Sequence, residues 1–186
     1  GEVLFVWLEA PLRTSLFTGA PAAADVWIGE VRAIGAGREI VPLRFAGLDF
    51  WIMFLSPYVE CNDDDVLVRQ MLALADVTDF VPSVQSRLIK FCRASAESHH
   101  FTPADWPLPR PEQVFQFAQS LGDVMRLYTA SVPDIKQYLY LPASDRLSKL
   151  YGRAFKGLSN ALDETMMLTI TRRGGALHVV ERTRIS

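Results

Sequence analysis

Four basic residues late in the chain form the clearest chemical pattern: Arg146, Lys149, Arg153 and Lys156. Spacings of three, four and three place them in one row along a helix. Leu147, Leu150, Tyr151, Ala154, Phe155, Leu158, Ala161 and Leu162 form an apolar stripe on the opposite side, so the pattern predicts an amphipathic helix over 144–162. Like charges one turn apart repel by roughly 0.2–0.5 kcal/mol per pair, and no acid stands one turn from Arg153 or Lys156. A bound polyanion would relieve that repulsion, which makes the row a candidate phosphate or DNA contact; a solvated helix face is the alternative. Arg172 and Arg173, at the tip of an expected hairpin, would extend the surface, as would Arg182 and Arg184.

A second candidate is the stretch that follows Pro82. Ser83 can cap a helix there, with Ser86 and Arg87 in its first turn and Lys90 and Arg93 behind them. Free amides and the helix dipole favour an anion at such an end, so a nucleotide phosphate beside Ser86 and Arg87 is the chemistry expected, against ordinary capping. Asp63, Asp64 and Asp65, with Glu60 nearby, offer hard oxygen ligands suited to Mg²⁺, or simply complement a helix dipole. Glu30 and Glu39 fall on a predicted hairpin, where either could act as a general base or face water.

Other catalytic patterns are weak. Cys61 and Cys92 lie far apart without a CxxC or a spaced histidine pair, so no metal site is expected. His99 and His100 are adjacent and point different ways in most backbones, and His178 falls within a strand pattern. There is no phosphate-binding GxxxxGK[ST], and Gly35-Ala36-Gly37 precedes a strand rather than the helix of a dinucleotide fingerprint.

The elements that must position these groups follow from hydrophobic periodicity. Strands are expected at 3–8, 25–34, 38–45 and 48–55, the last (LDFWIMFL) apolar throughout as in a strand buried on both faces. Pro42 lacks an amide donor, which predicts a sheet-edge position for its strand. Helices are expected from Asn62 or Asp63 to about Ala75, with Val66, Leu67, Met71, Leu74 and Ala75 inward, from Ser83 through Cys92, and from Pro111 to about Ala130, with an apolar stripe of Val114, Phe117, Ala118, Leu121, Val124, Met125 and Tyr128. A short segment 134–141 and the helix over 144–162 precede a hairpin of strands 166–171 and 176–183. The fold class expected is α+β in a single domain over 1–186: N-terminal strands and hairpin, central helices, a C-terminal helix plus hairpin.

Composition agrees with one globular unit. The chain has 186 residues, 49% hydrophobic and 22% charged, and a net charge of −2, which excludes global disorder. Two cysteines cannot make a disulfide framework. No apolar run approaches the roughly 18 residues of a bilayer span, and no signal peptide opens the sequence, so the default expectation is a cytoplasmic protein. Charge is uneven: from Ser144 onward there are eight basic and four acidic residues, against 11 and 17 before it. A late stretch of +4 beside an early one of −6 suits an anionic partner on one face.

The segment Tyr151-Gly152-Arg153-Ala154-Phe155-Lys156-Gly157-Leu158, leading through Asn160 to Thr165 into a strand, resembles the ParB/sulfiredoxin superfamily, in which a Gly-x-Arg-Arg-type helix precedes a turn and a strand. Gly152 and one neighbouring arginine are shared; Ala154 and Phe155 stand where a second arginine would be. As a whole the chain is similar in length and character to the oncogenic-suppression and fertility-inhibition (Osa type) proteins of conjugative plasmids. That resemblance implies a ParB/sulfiredoxin-like fold and a factor that blocks DNA or effector transfer through a type IV secretion system. It also implies ATP and DNA binding, with ATPase and nuclease activity. Arg146, Lys149, Arg153, Lys156, Arg172 and Arg173 would then hold DNA phosphates, and Ser86, Arg87 and Arg153 the nucleotide. Glu39, or one of Asp63 to Asp65, would position Mg²⁺ or water. The alternative is a non-enzymatic module that blocks a protein partner, with Trp106, Tyr138 and Tyr140, set among prolines, as anchors.

Overall fold

The computed structural model describes residues 15–21, 25–73, 80–94, 110–140, 153, 165–172 and 175–182. Eight strands form one mixed sheet: β1 (Val26–Ile28), β2 (Arg32–Gly35), β3 (Arg38–Phe45), β4 (Leu48–Leu55), β5 (Ser86–Arg93), β6 (Gln137–Tyr140), β7 (Thr165–Arg172) and β8 (Gly175–Arg182). Their order is β1-β3-β4-β5-β6-β8-β7, with β2 also on β3. The helices are α1 (Pro57–Glu60), α2 (Asp65–Ala73) and α3 (Pro111–Ser131). Strands β5 and β6 pair in parallel, and α3 lies between them in the chain, as a parallel connection requires.

The apolar strand at 48–55 forms as expected and lies inside the sheet, paired with β3 and β5. Alternation sends Phe50, Ile52 and Phe54 to one face with Phe117, Leu121, Val124, Met125 and Tyr128 of α3, and Trp51, Met53 and Leu55 to the other with Leu16 and Ile40. Further along that second face, Leu88 and Leu139 receive Val68, Met71 and Leu72 of α2. The turn between β3 and β4 is Ala46-Gly47, with φ of 51° and 75°. Two positive φ values match the twist of a tight hairpin.

Several expectations are corrected. The segment after Ser83 is β5 and not a helix. In SRLIKFCR the adjacent residues Leu88 and Ile89, and Phe91 and Cys92, are buried on opposite faces, as in a strand covered on both sides, and pairing with β4 and β6 satisfies its amides. The segment 134–141 contains β6. The helix expected from Asn62 begins at Asp65 because Asn62 and Asp63 adopt left-handed φ of 54° and 57°. The Asp64 carboxylate accepts from the amides of Val66 and Leu67 at 2.8 and 3.4 Å, the geometry of an N-cap. Val66 and Leu67, expected inward, are 56% and 40% exposed.

Pro42 is not on an edge strand: β3 has β4 on one side and β1 and β2 on the other. The proline is tolerated because the edge strand is broken opposite it. Ile28 is the partner of Leu43 and Arg32 that of Ile40, which leaves residues 29–31 outside the ladder. The Gly29 amide donates to the Pro42 carbonyl at 2.9 Å, so the side of Pro42 that lacks a donor faces this break. A Cβ on Gly29 would stand 2.4 Å from Pro42 Cγ, so only glycine fits there without rearrangement.

Candidate functional site

Glu39 is presented by β3 on the face covered by α3, and it is 8% exposed. Register makes Phe54 of β4 its neighbour and Ile89 of β5 the next, so Arg87 of β5 reaches Glu39 across the intervening strand. The Arg87 Nε lies 3.2 Å from Oε2 and 3.3 Å from Oε1 of Glu39, and its Nη2 lies 3.2 Å from Oε1. Tyr128 of α3 donates its hydroxyl to the same Oε1 at 2.9 Å. Its ring stacks on Phe54 with centroids 3.7 Å apart and planes 2° from parallel.

A carboxylate that is taken out of water needs its lone pairs occupied. Glu39 has that from a guanidinium and a phenol, and Arg87 further donates to the carbonyl of Ser86 at 2.9 Å. Burial, and next the Glu39 charge, push the Tyr128 hydroxyl far above its ordinary pKa, so it stays a donor. Beside it, Tyr138 meets Tyr128 edge-on at 6.0 Å and shares a 3.0 Å hydrogen bond with Thr129. This polar seam ties β3, β5, β6 and α3 together.

A second charged group lies on the other side of the sheet. Arg38 bonds Glu60 at 2.6 Å, and the Glu60 side chain is 1% exposed. Lys90 is half-buried near it; desolvation lowers its pKa to about 8, against the pull of the Glu60 charge. The break in the edge strand opens a cleft of about 440 Å³, bounded among others by Leu16, Trp27, Glu30, Arg32 and Leu127.

The structure brings together Glu39 and Arg87, which the sequence placed in two separate roles, while Ser86 meets Arg87 only through its backbone carbonyl. Ser86 is fully buried in β5, and the helix N-terminus expected to hold a phosphate beside it is absent, since a strand stands there. Tyr138 and Tyr140, expected as exposed anchors, are 1% and 4% exposed. They belong to the core because β6 is covered by α3. Glu30 is exposed at the strand break. Asp63 to Asp65 serve the turn and cap of α2, and among the described residues no group of three or more His, Cys, Asp or Glu side chains could hold a metal ion. Cys61 and Cys92 are both buried thiols.

Arg153 is exposed in a helical conformation, while Arg146, Lys149, Lys156 and Arg173 lie outside the described residues, as do Trp106, His99 and His100. Arg172 ends β7 opposite Gly175. Tyr128 was legible only as a member of an apolar stripe; nothing in the spacing marked its hydroxyl. Among the described residues no helix is long and apolar enough to cross a membrane.

No family model matches the chain, and no curated protein matches it. Among solved structures, the acetyltransferase AAC(6')-Ib in complex with paromomycin and acetyl-CoA is similar at 11% identity and a TM-score of 0.41, over 78% of this chain. This chain spans 65% of that protein's length. The neighbour is neither Osa-like nor a ParB/sulfiredoxin protein, and it holds acetyl-CoA rather than ATP. No family model and no curated protein supports the plasmid-transfer resemblance, which is corrected together with its conjugation, nuclease and ATP-binding expectations and its ATP and Mg²⁺ cofactors; a strand stands where the nucleotide's helix N-terminus was expected. In place of the expected ParB/sulfiredoxin arrangement stands a mixed sheet of order β1-β3-β4-β5-β6-β8-β7.

Proposed function

We propose that the chain is a non-enzymatic binding module that acts by engaging a partner protein. The observation that supports this reading is the state of Glu39. The residue best suited by sequence to be a general base is held by Arg87 and Tyr128, and its side chain is 10% exposed. A carboxylate held in this way is suited to orienting structural elements. Partner contact would come instead from large apolar side chains that the fold leaves outside, foremost Val81 and Val84 before β5, which are 69% and 79% exposed.

The test has two arms. Purified protein, with and without Mg²⁺, is expected to hydrolyse neither ATP nor GTP. A tagged chain is expected to capture a defined partner from lysate, with that capture lost in the Val81→Asp, Val84→Asp double variant. Nucleotide turnover that disappears in Glu39→Gln while the fold is kept would overturn the reading, and so would capture indifferent to the double variant.

A further inference from the structure

The break in the edge strand has a consequence separate from partner binding. Leu127 of α3 packs against the core on one face of the sheet, whereas Leu16 belongs to the cluster on the other. Both border the same cleft, together with Trp27, Gly29, Glu30 and Arg32. The cleft therefore passes over the sheet edge where residues 29–31 leave the ladder. Its volume of about 440 Å³ lies within the range of small-molecule sites. Trp27 is half-buried, with its ring tilted against Phe17 at 6.1 Å between centroids, so one wall is a fixed aromatic surface.

The rim of this cleft carries opposite charges two positions apart. Glu30 and Arg32 are both exposed, and among the described residues neither side chain takes an ion-pair or hydrogen-bond partner. On the neighbouring strand β3, by contrast, Arg38 and Arg44 are engaged, by Glu60 and Asp49. Two positions apart in sequence, the two charged groups rise from backbone positions separated by at most about 7 Å. That span suits a ligand with an ammonium at one end and a carboxylate at the other.

We propose that the cleft is a binding site for a small zwitterion of the amino-acid or dipeptide class, with its apolar side group against Trp27 and Leu127, its ammonium at Glu30 and its carboxylate at Arg32. An apolar wall supplies burial, and the charged pair supplies orientation. A ligand with one charge removed keeps the burial and loses one anchor, so the two contributions separate experimentally.

The experiment is calorimetric titration of the full chain with L-leucyl-L-leucine and with L-phenylalanine, each also in N-acetylated and C-amidated form. Saturable binding is expected for at least one uncapped compound, with Kd on the order of 0.1–1 mM. Either cap is expected to weaken it tenfold or more. Glu30→Gln should weaken the uncapped ligand by a similar factor and leave the N-acetylated one unchanged; Arg32→Gln should do the same with respect to the amide. Thermal midpoints near that of the parent would show that both variants fold. Absence of saturable binding by either uncapped compound overturns the proposal, and so does an affinity unmoved by both caps.

Discussion

Tyr128 and Glu39 are 89 residues apart in sequence and joined by a 2.9 Å hydrogen bond in the interior. This bond fastens α3 to β3 by a directed contact, where the surrounding packing is apolar and non-directional. Since Arg87 grips the same carboxylate from β5, three elements distant in sequence meet on two oxygens.

The stability of this seam can be measured. Tyr128→Phe keeps the ring on Phe54 and removes only the donor, leaving Glu39 to Arg87 alone. The expected loss is about 1–2 kcal/mol. Arg87→Met leaves a buried carboxylate without its cation, and about 3–5 kcal/mol is expected. Because the two substitutions act on one acceptor, their effects should not add. Urea unfolding of the single and double variants checks this; a Tyr128→Phe midpoint equal to the parent's would mean that the bond contributes nothing.

Glycine positions give a second, contrasting prediction. At Gly29 an added Cβ would meet Pro42 Cγ at 2.4 Å and Trp27 at 2.9 Å, whereas at Gly47 it would meet nothing within 4 Å but needs a φ of +75°. Gly29→Ala is thus opposed by packing, and about 1–3 kcal/mol of destabilisation is expected. Gly47→Ala is opposed by backbone strain alone, about 1 kcal/mol. Replacing Gly47 with Asn, which tolerates the left-handed region, should recover part of that loss, while no residue recovers it at Gly29. Thermal unfolding of the three variants distinguishes the mechanisms.

How far the sequence foretells this molecule depends on the physical basis of each signal. The run LDFWIMFL and the stripe of α3 were legible because burial on two faces, or on one helical face, imprints a period on composition. Segment 83–93 was not, because SVQSRLIKFCR pairs a good cap with apolar residues at positions that suit either a helix or a strand. Tertiary pairing with β4 and β6 decided it. Pro42 was misplaced for a similar reason: its missing donor signals an interrupted ladder, and a break in the neighbouring strand satisfies that as well as an outer edge does. The polar seam was only half legible. Glu39 and Arg87 stood out as charges, but their union depends on a sheet order that no local pattern encodes.

The two thiols should be inert in the native state. Cys61 and Cys92 are 8% and 4% exposed, and burial followed by the nearby charges of Glu60 and Asp64 raises the Cys61 pKa. Thiolate is the reactive form, so both access and ionisation oppose attack. At pH 8 an aromatic disulfide reagent is expected to modify both residues at least about tenfold more slowly in native protein than in guanidinium. A fast native phase of one equivalent would contradict the burial of one of them.

Stability should also respond to pH on the alkaline side, and the direction follows from Lys90. Its pKa falls from 10.5 in the free side chain to about 8 in the fold, so above pH 8 the unfolded chain binds a proton that the native one has released. Stability therefore rises with pH from about 8 toward 10.5 on account of this group. Lys90 is half-buried, so the slope should fall well below the roughly 1.4 kcal/mol per pH unit of a whole proton. Cys61 opposes it from pH 9, its ordinary pKa, and Tyr58, Tyr128 and Tyr140 from pH 10, because all four have raised values in the fold and ionise first in the unfolded chain. The denaturant midpoint is thus expected to climb between pH 8 and about 9, level off, and fall beyond 10. Lys90→Met should abolish the climb and keep the fall; a climb that persists in that variant would assign it to another group.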